Sequence, residues 1–288
     1  MASAGHDNPG AGDGADSGRA TGQARRSYLP QALGHGLAIL DCFDRRTGEL
    51  TAWHLARRTG MKLSTLYRYL AMLESNGFIQ RMPGGKYALG VRLVELGGHV
   101  LRREDIYRYG QPLAEELAAE LELDVHLAQL YEGDVLHLGY GARPTHLRTH
   151  GTRATTGSKL GERTPAHCTS LGKAMLAHVP AERVESTIRR YGWRPMTSNS
   201  IRTFGRLAQE LDSVRARGFA IDREEKVAGI HCLAVPVFGG DGVPGHQAIC
   251  AVSATGPAQV FRNSRNIDRI SQMVMEYAQL LGSRLPAA

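Results

Sequence analysis

Apolar positions in the first third of the chain recur at helical spacing. Leu33, Leu37, Leu40 and Phe43 follow one another at steps of four, three and three, which predicts one helix face ending before Thr47-Gly48. Thr51 has the chemistry of an N-cap for a short helix over 52–59, and Gly60 supplies the left-handed residue that stops it. A third helix is predicted over 63–75, closed by Asn76-Gly77, with Leu63, Leu66, Leu70 and Leu73 as its buried stripe. Two short strand-like runs, 78–81 and 86–89, flank Met82-Pro83-Gly84-Gly85 and predict a hairpin. Helix, helix, tight turn, helix, hairpin is the order of a winged helix-turn-helix.

Beyond residue 90 the pattern changes. An amphipathic stretch over 91–103 carries Val91, Val94, Leu96, Val100 and Leu101 and predicts a connector helix, followed by another helix over 107–121. Strands are predicted at 123–131, 135–140, 219–222, 231–238 and 247–254, with helices at 170–178, 181–191, 203–217 and 266–281. Glu132-Gly133-Asp134 and Gly239-Gly240-Asp241-Gly242 are turns between consecutive strands. Hairpins with helices grouped between them predict an α+β domain around a single sheet. Beyond Met1, residues 1–27 hold no large apolar residue and read as a disordered tail. The expected division is therefore tail 1–27, winged helix-turn-helix 28–90, connector 91–104 and a second domain over 105–288, in line with a length of 288 residues.

Charge sharpens this division. Residues 28–103 carry 11 Lys and Arg against 5 Asp and Glu, a net +6, out of +7 for the whole chain. Positive charge concentrated in one small unit is the footprint of a polyanion-binding module. On a wheel of the third helix, Ser64, Thr65, Arg68 and Met72 point away from the leucine stripe, with Tyr67 beside them. Arg68 has the fork to pair bidentately with guanine in the major groove. Ser64 or Thr65 can hold a phosphate near the helix start, and Arg81 and Lys86 on the hairpin are placed for the DNA backbone or minor groove.

Other chemistries find little support. No run of 18 apolar residues is present, and the first residues lack the apolar core of a secretory signal. Cys42, Cys168, Cys232 and Cys250 form no Cys-x-x-Cys pair, which argues against a zinc knuckle and fits a reducing, cytoplasmic setting. There is no Gly-x-Ser-x-Gly elbow and no His-Glu-x-x-His helix, and Gly172-Lys173 lacks the first Gly and the Ser/Thr of a phosphate-binding loop. Cys168 next to His167 is the nearest approach to a nucleophile with a base, but adjacent residues rarely face each other. No catalytic residue, metal or cofactor is expected. His126 and His137 read as half-buried sheet residues.

Three segments, 52–60 (AWHLARRTG), 64–70 (STLYRYL) and 73–79 (LESNGFI), resemble the DNA-binding half of the IclR family of bacterial transcriptional regulators. Segments 161–174 (GERTPAHCTSLGKA), 218–225 (GFAIDREE), 229–237 (GIHCLAVPV) and 252–257 (VSATGP) resemble its effector domain, so the resemblance spans roughly 30–283. It departs from the family at Lys62-Leu63, where Pro and a basic residue usually precede the Ser-Thr pair, a difference that bears on the helix start and the operator preference; Lys62 is counted with the DNA-facing residues. The resemblance implies a GAF-like α/β effector domain, with a pocket built from the Gly161 loop and the strands carrying Asp222, Cys232, Ser253 and Thr255. It implies a homodimer or tetramer bound to pseudo-palindromic double-stranded operator DNA, and favours a repressor. Ser253 and Thr255 lie two apart on a strand, so both face one side and can donate to a carboxylate or carbonyl, while backbone N–H groups around Gly161 can hold an anion. With aromatics at 6% of the chain, the expected effector is a small polar metabolite, a 2-oxo acid such as glyoxylate or a ureide such as allantoin. The alternatives are an activator sensing an aromatic acid, or a metabolite-processing enzyme with a DNA-binding appendage.

Overall fold

The computed structural model describes residues 31–43, 47–144, 160–240 and 247–286. The predicted tail 1–27 and part of the 239–242 turn lie outside them. The chain divides into two compact units at Gly98/His99, inside the helix formed by Arg92–Arg103.

The first unit contains α1 (Gln31–Leu40), β1 (Leu50–Thr51), α2 (Ala52–Thr59), α3 (Leu63–Ser75), β2 (Ile79–Arg81) and β3 (Lys86–Leu89), and α4 (Arg92–Arg103) leaves it. Thr51 caps α2, its Oγ1 accepting the His54 N–H at 3.3 Å. Gly60 ends that helix at φ +71°, a conformation that costs glycine nothing and other residues a steric penalty. The antiparallel sheet runs β1-β3-β2, with Arg81 opposite Tyr87 and Leu50 on the far side of the same tyrosine. The core is Ile39, Leu50, Leu55, Leu66, Leu70, Ile79 and Tyr87. Two expected stripes are corrected here. On α1 it is Ile39 that is buried, whereas Leu33 and Leu37 are about half exposed. On α3, Leu66 and Leu70 are buried but Leu63 is 45% exposed, because the first turn overhangs the edge of this small core.

The second unit contains α5 (Asp105–Leu121), β4 (Asp124–Tyr131), β5 (Asp134–Gly141), β6 (Arg163–Pro165), α6 (Ser170–Leu176), α7 (Ala181–Tyr191), α8 (Phe204–Arg217), β7 (Ala220–Arg223), β8 (Ile230–Val237), β9 (Cys250–Pro257) and α9 (Ser264–Gly282). Its antiparallel sheet has the order β6-β5-β4-β9-β8-β7. One face, with Val125, Leu127, Leu233 and Val252, packs on Leu117 of α5 and Val274 of α9. The other carries Ala128, Ala220, Ala234 and Ala251 against Leu171, Met175, Leu207 and Val214. Alanines on this face let α6 sit close to the sheet. Gly172 lets α6 pack against the turn that precedes it, since a Cβ there would stand 2.1 Å from the Ala166 carbonyl oxygen. β9 begins three residues later than the predicted strand, and β1 and β6 were not expected; both are too short for a periodic signal.

Candidate functional site

The exposed face of α3 presents Ser64 and Arg68, with Thr65 half-buried, Tyr67 51% and Met72 63% exposed. Lys62 is the N-cap residue and its side chain makes no capping hydrogen bond, so its ammonium is not committed to the helix end. Arg68 has no ion-pair partner among the described residues. On the hairpin, the Arg81 guanidinium lies 6.0 Å from the centre of the Tyr87 ring, and Lys86 Nζ pairs with Glu49 at 3.2 Å. That pairing reduces what Lys86 can offer to a polyanion.

In the second unit, sheet register assembles a polar row. Asp222 of β7 is opposite Cys232 of β8, Cys232 opposite Thr255 of β9, and Thr255 opposite Asp124 of β4. The adjacent row places Ser253 opposite His126. Directly opposite residues of antiparallel strands share a face, so these side chains all point toward α6. There Asp222, Cys232, Thr255, Ser253 and His126 line a cavity of about 20 Å³, room for about one water. Thr169, Ser170 and Leu171 from the start of α6, His137 of β5 and Lys226 complete the lining.

Burial decides the charge state of this cavity. It pushes the His126 and His137 imidazoles down to about 3 and about 2, so both are neutral near pH 7. It pushes the Cys232 thiol up to about 12, helped by the nearby Asp222. Asp222 is pushed up to about 7 by burial and by Glu225. Its Oδ1 accepts the backbone N–H groups of Glu225 at 2.6 Å and Lys226 at 3.4 Å, which holds the 224–226 turn against the strand. Burial also lowers the Lys226 ammonium. Beneath the turn, the fully buried Lys173 of α6 donates to Ile221 O at 2.6 Å and pairs with Glu225 at 2.5 Å and Glu210 of α8 at 3.3 Å.

Four of the five expected effector residues, Asp222, Cys232, Ser253 and Thr255, thus converge on one cavity. Gly161 does not join them: it is exposed, outside the lining, and its N–H donates to His137 O at 2.8 Å, leaving that N–H unavailable to an anion. His126 and His137 are corrected from half-buried to buried, each 3% exposed. Lys226 was missed because a lysine in a charged run, Arg223-Glu224-Glu225-Lys226, has no sequence mark that distinguishes it from a solvated one.

The Cys168–His167 pair does not form a nucleophile and base. His167 Nε2 accepts the Arg194 N–H at 3.1 Å, whereas Cys168 Sγ lies toward Pro165 O at 3.7 Å with its thiol pushed up to about 12. Among the described residues no group of three or more His, Cys, Asp or Glu is arranged to hold a metal ion, and no helix is long and apolar enough to cross a membrane.

The model for the bacterial transcriptional regulator IclR C-terminal domain matches residues 98–282, and the model for the IclR helix-turn-helix domain matches 32–83. The chain belongs to the IclR family. This is a family of transcriptional regulators rather than enzymes. IclR relatives include the regulator KdgR of Dickeya chrysanthemi, 32% identical over 196 residues; the match covers 68% of this chain and 62% of KdgR, under two thirds of that relative's length. The transcriptional repressor IclR of Escherichia coli is 28% identical over 262 residues, 90% of this chain and 89% of its own. An IclR homologue from Microbacterium hydrocarbonoxydans, solved in complex with 4-hydroxybenzoate, shares the fold with a TM-score of 0.74 at 23% identity, covering 88% of this chain and 98% of that one.

Proposed function

We propose that this IclR-family chain is a cytoplasmic repressor, released from a pseudo-palindromic operator when a small polar metabolite occupies the cavity lined by Asp222, Cys232, Ser253 and Thr255. Residues 28–90 bind DNA through Lys62, Ser64, Thr65, Tyr67, Arg68, Arg81 and Lys86, 91–104 connect, and 105–288 bind the effector and oligomerise as a homodimer or dimer of dimers. The observation that carries this reading is the polar cavity itself. Hydroxyls, a thiol and a carboxyl are gathered on a sheet face that is otherwise alanine and leucine, and burying them is costly unless they are hydrogen-bonded. The connector transmits the signal only if the ligand binds the DNA-competent and incompetent arrangements unequally.

Selection of bound sequences from a random DNA pool tests the reading. Recovery of a palindrome, followed by its release with a small polar metabolite, is the expected result. Uniform affinity for all sequences, with no ligand effect, would overturn it.

A further inference from the structure

We propose that Trp53 is a positioning residue for DNA binding: its ring holds the Arg57 guanidinium for a backbone phosphate beside the wing. The inference rests on the DNA reading above and adds a contact outside α3 and the hairpin. Trp53 is 56% exposed on α2, a large apolar surface left in water. The Arg57 guanidinium carbon lies 5.7 Å from the centre of its ring. The two residues are four apart and so share one side of the helix, away from the buried Ala52 and Leu55.

Helical side chains lean toward the N-terminus of their helix, and the ring fixes that lean for Arg57, because Trp53 stands one turn nearer the start of α2. That start abuts the wing. Thr51, the N-cap of α2, is opposite Lys86 in the β1–β3 pairing, and Leu50 is opposite Tyr87. The sheet thus brings the wing cation Lys86 next to the helix start toward which Arg57 is drawn. The neighbouring arginine behaves differently. Arg58 donates to the Cys42 carbonyl at 2.5 Å and to Thr47 at 3.3 Å, which ties the turn after α1 to α2. Arg57 meets no carboxylate among the described residues, and the indole is what orders it. A guanidinium resting on a ring keeps its planar fork of donors for a phosphate oxygen and has less rotamer freedom to lose on binding. Such a contact carries no base preference and is read through its salt dependence.

The test is salt-dependent titration of the full-length protein with a mixed-sequence DNA duplex. Arg57→Gln is expected to reduce the salt slope by about 1 and to weaken binding about 5-fold at ~0.15 M salt, on every sequence alike. Trp53→Ala is expected to give part of the same change, and Trp53→Phe, which keeps a ring face, to retain the parental slope. Unchanged circular dichroism shows that the variants fold, and a merely structural Trp53 would lower stability without moving the slope. In Trp193→Phe, Trp53 is the single tryptophan, and saturating DNA is expected to shield its emission from acrylamide. A parental slope in Arg57→Gln or in Trp53→Ala, or acrylamide quenching unchanged by DNA, would overturn the proposal and leave the α3 reading standing. Failure of the parent protein to bind any duplex at ~50 mM salt would overturn the DNA reading itself.

Discussion

Arg68 is exposed on α3 with no ion-pair partner among the described residues, away from the buried Leu66 and Leu70 that face the core. If it pairs with guanine, Arg68→Ala weakens operator binding by about 1–3 kcal/mol and relaxes preference at one base pair, measured by competition with mutated operators. Equal loss on operator and random DNA would make it a phosphate contact instead. Asp222 makes a second prediction at this scale. Its folded-state pKa is raised above the ordinary 3.8 to about 7, so the folded form holds the proton more tightly. The stability this contributes is complete below about pH 4 and is lost as pH rises through 7. His126 and His137 work oppositely. Their folded pKa values of about 3 and about 2 remove stability as pH falls from 6.5. Asp222→Asn keeps the side-chain acceptor but not the titration. Its stability relative to the parent protein should therefore climb between about pH 4 and 7 and level off above, as read from urea midpoints across that window. A flat difference would show that Asp222 titrates normally.

The elements explain why identical residues at helical spacing are not equivalent. Leu63 and Leu66 are both on the predicted stripe of α3, yet one is 45% exposed and the other fully buried. Leu66→Ala leaves a cavity among Ile39, Leu55 and Ile79 and is expected to cost about 2–5 kcal/mol, whereas Leu63→Ala should stay within about 0.5 kcal/mol, by chemical denaturation. Comparable losses would mean that the first turn is packed more deeply. In the second unit α6 is short, wholly buried and pinned by three separate contacts: the Thr169 cap on Gly172 N at 3.2 Å, the bare Gly172 against Ala166, and the Lys173 ion pairs. Together they fix Thr169 and Ser170 over the polar row, so α6 is the roof of the cavity and β7, β8 and β9 its floor.

At the scale of the molecule, the charge distribution separates two tasks. A net +6 within 28–103 against +1 over 104–288 places the polyelectrolyte contribution to binding in the first unit. Affinity for any duplex should fall linearly with the logarithm of salt concentration. Arg81→Gln should reduce that slope by about 1. Lys86→Gln should reduce it by less, since Glu49 already stands 3.2 Å from its ammonium. Equal changes would show that the Glu49 pair opens on DNA.

Local rules carried much of this protein. The Thr51 cap, the Gly60 stop, the bounds of α2, α3 and α7 and the alternation that puts Ser253 and Thr255 on one face all follow from interactions within a few residues, which is why they can be read in order along the chain. The sequence also marks Asp222 and Cys232 through segments that resemble IclR effector domains. Other properties depend on what is far away in sequence. Pairing of β7, β8, β9 and β4 decides that Asp222, Cys232, Thr255 and Asp124 form one row. The limited size of the first core leaves Leu33, Leu37 and Leu63 outside it. Burial, which no local pattern reports, neutralises His126 and His137 and turns Lys226 from one more charge in a polar run into a wall of the cavity. Sequence determines what each segment prefers, because propensity and periodicity act over a turn or a strand. Only the tertiary structure decides which side chains lose water together, because desolvation and register are set by partners that arrive from elsewhere in the chain.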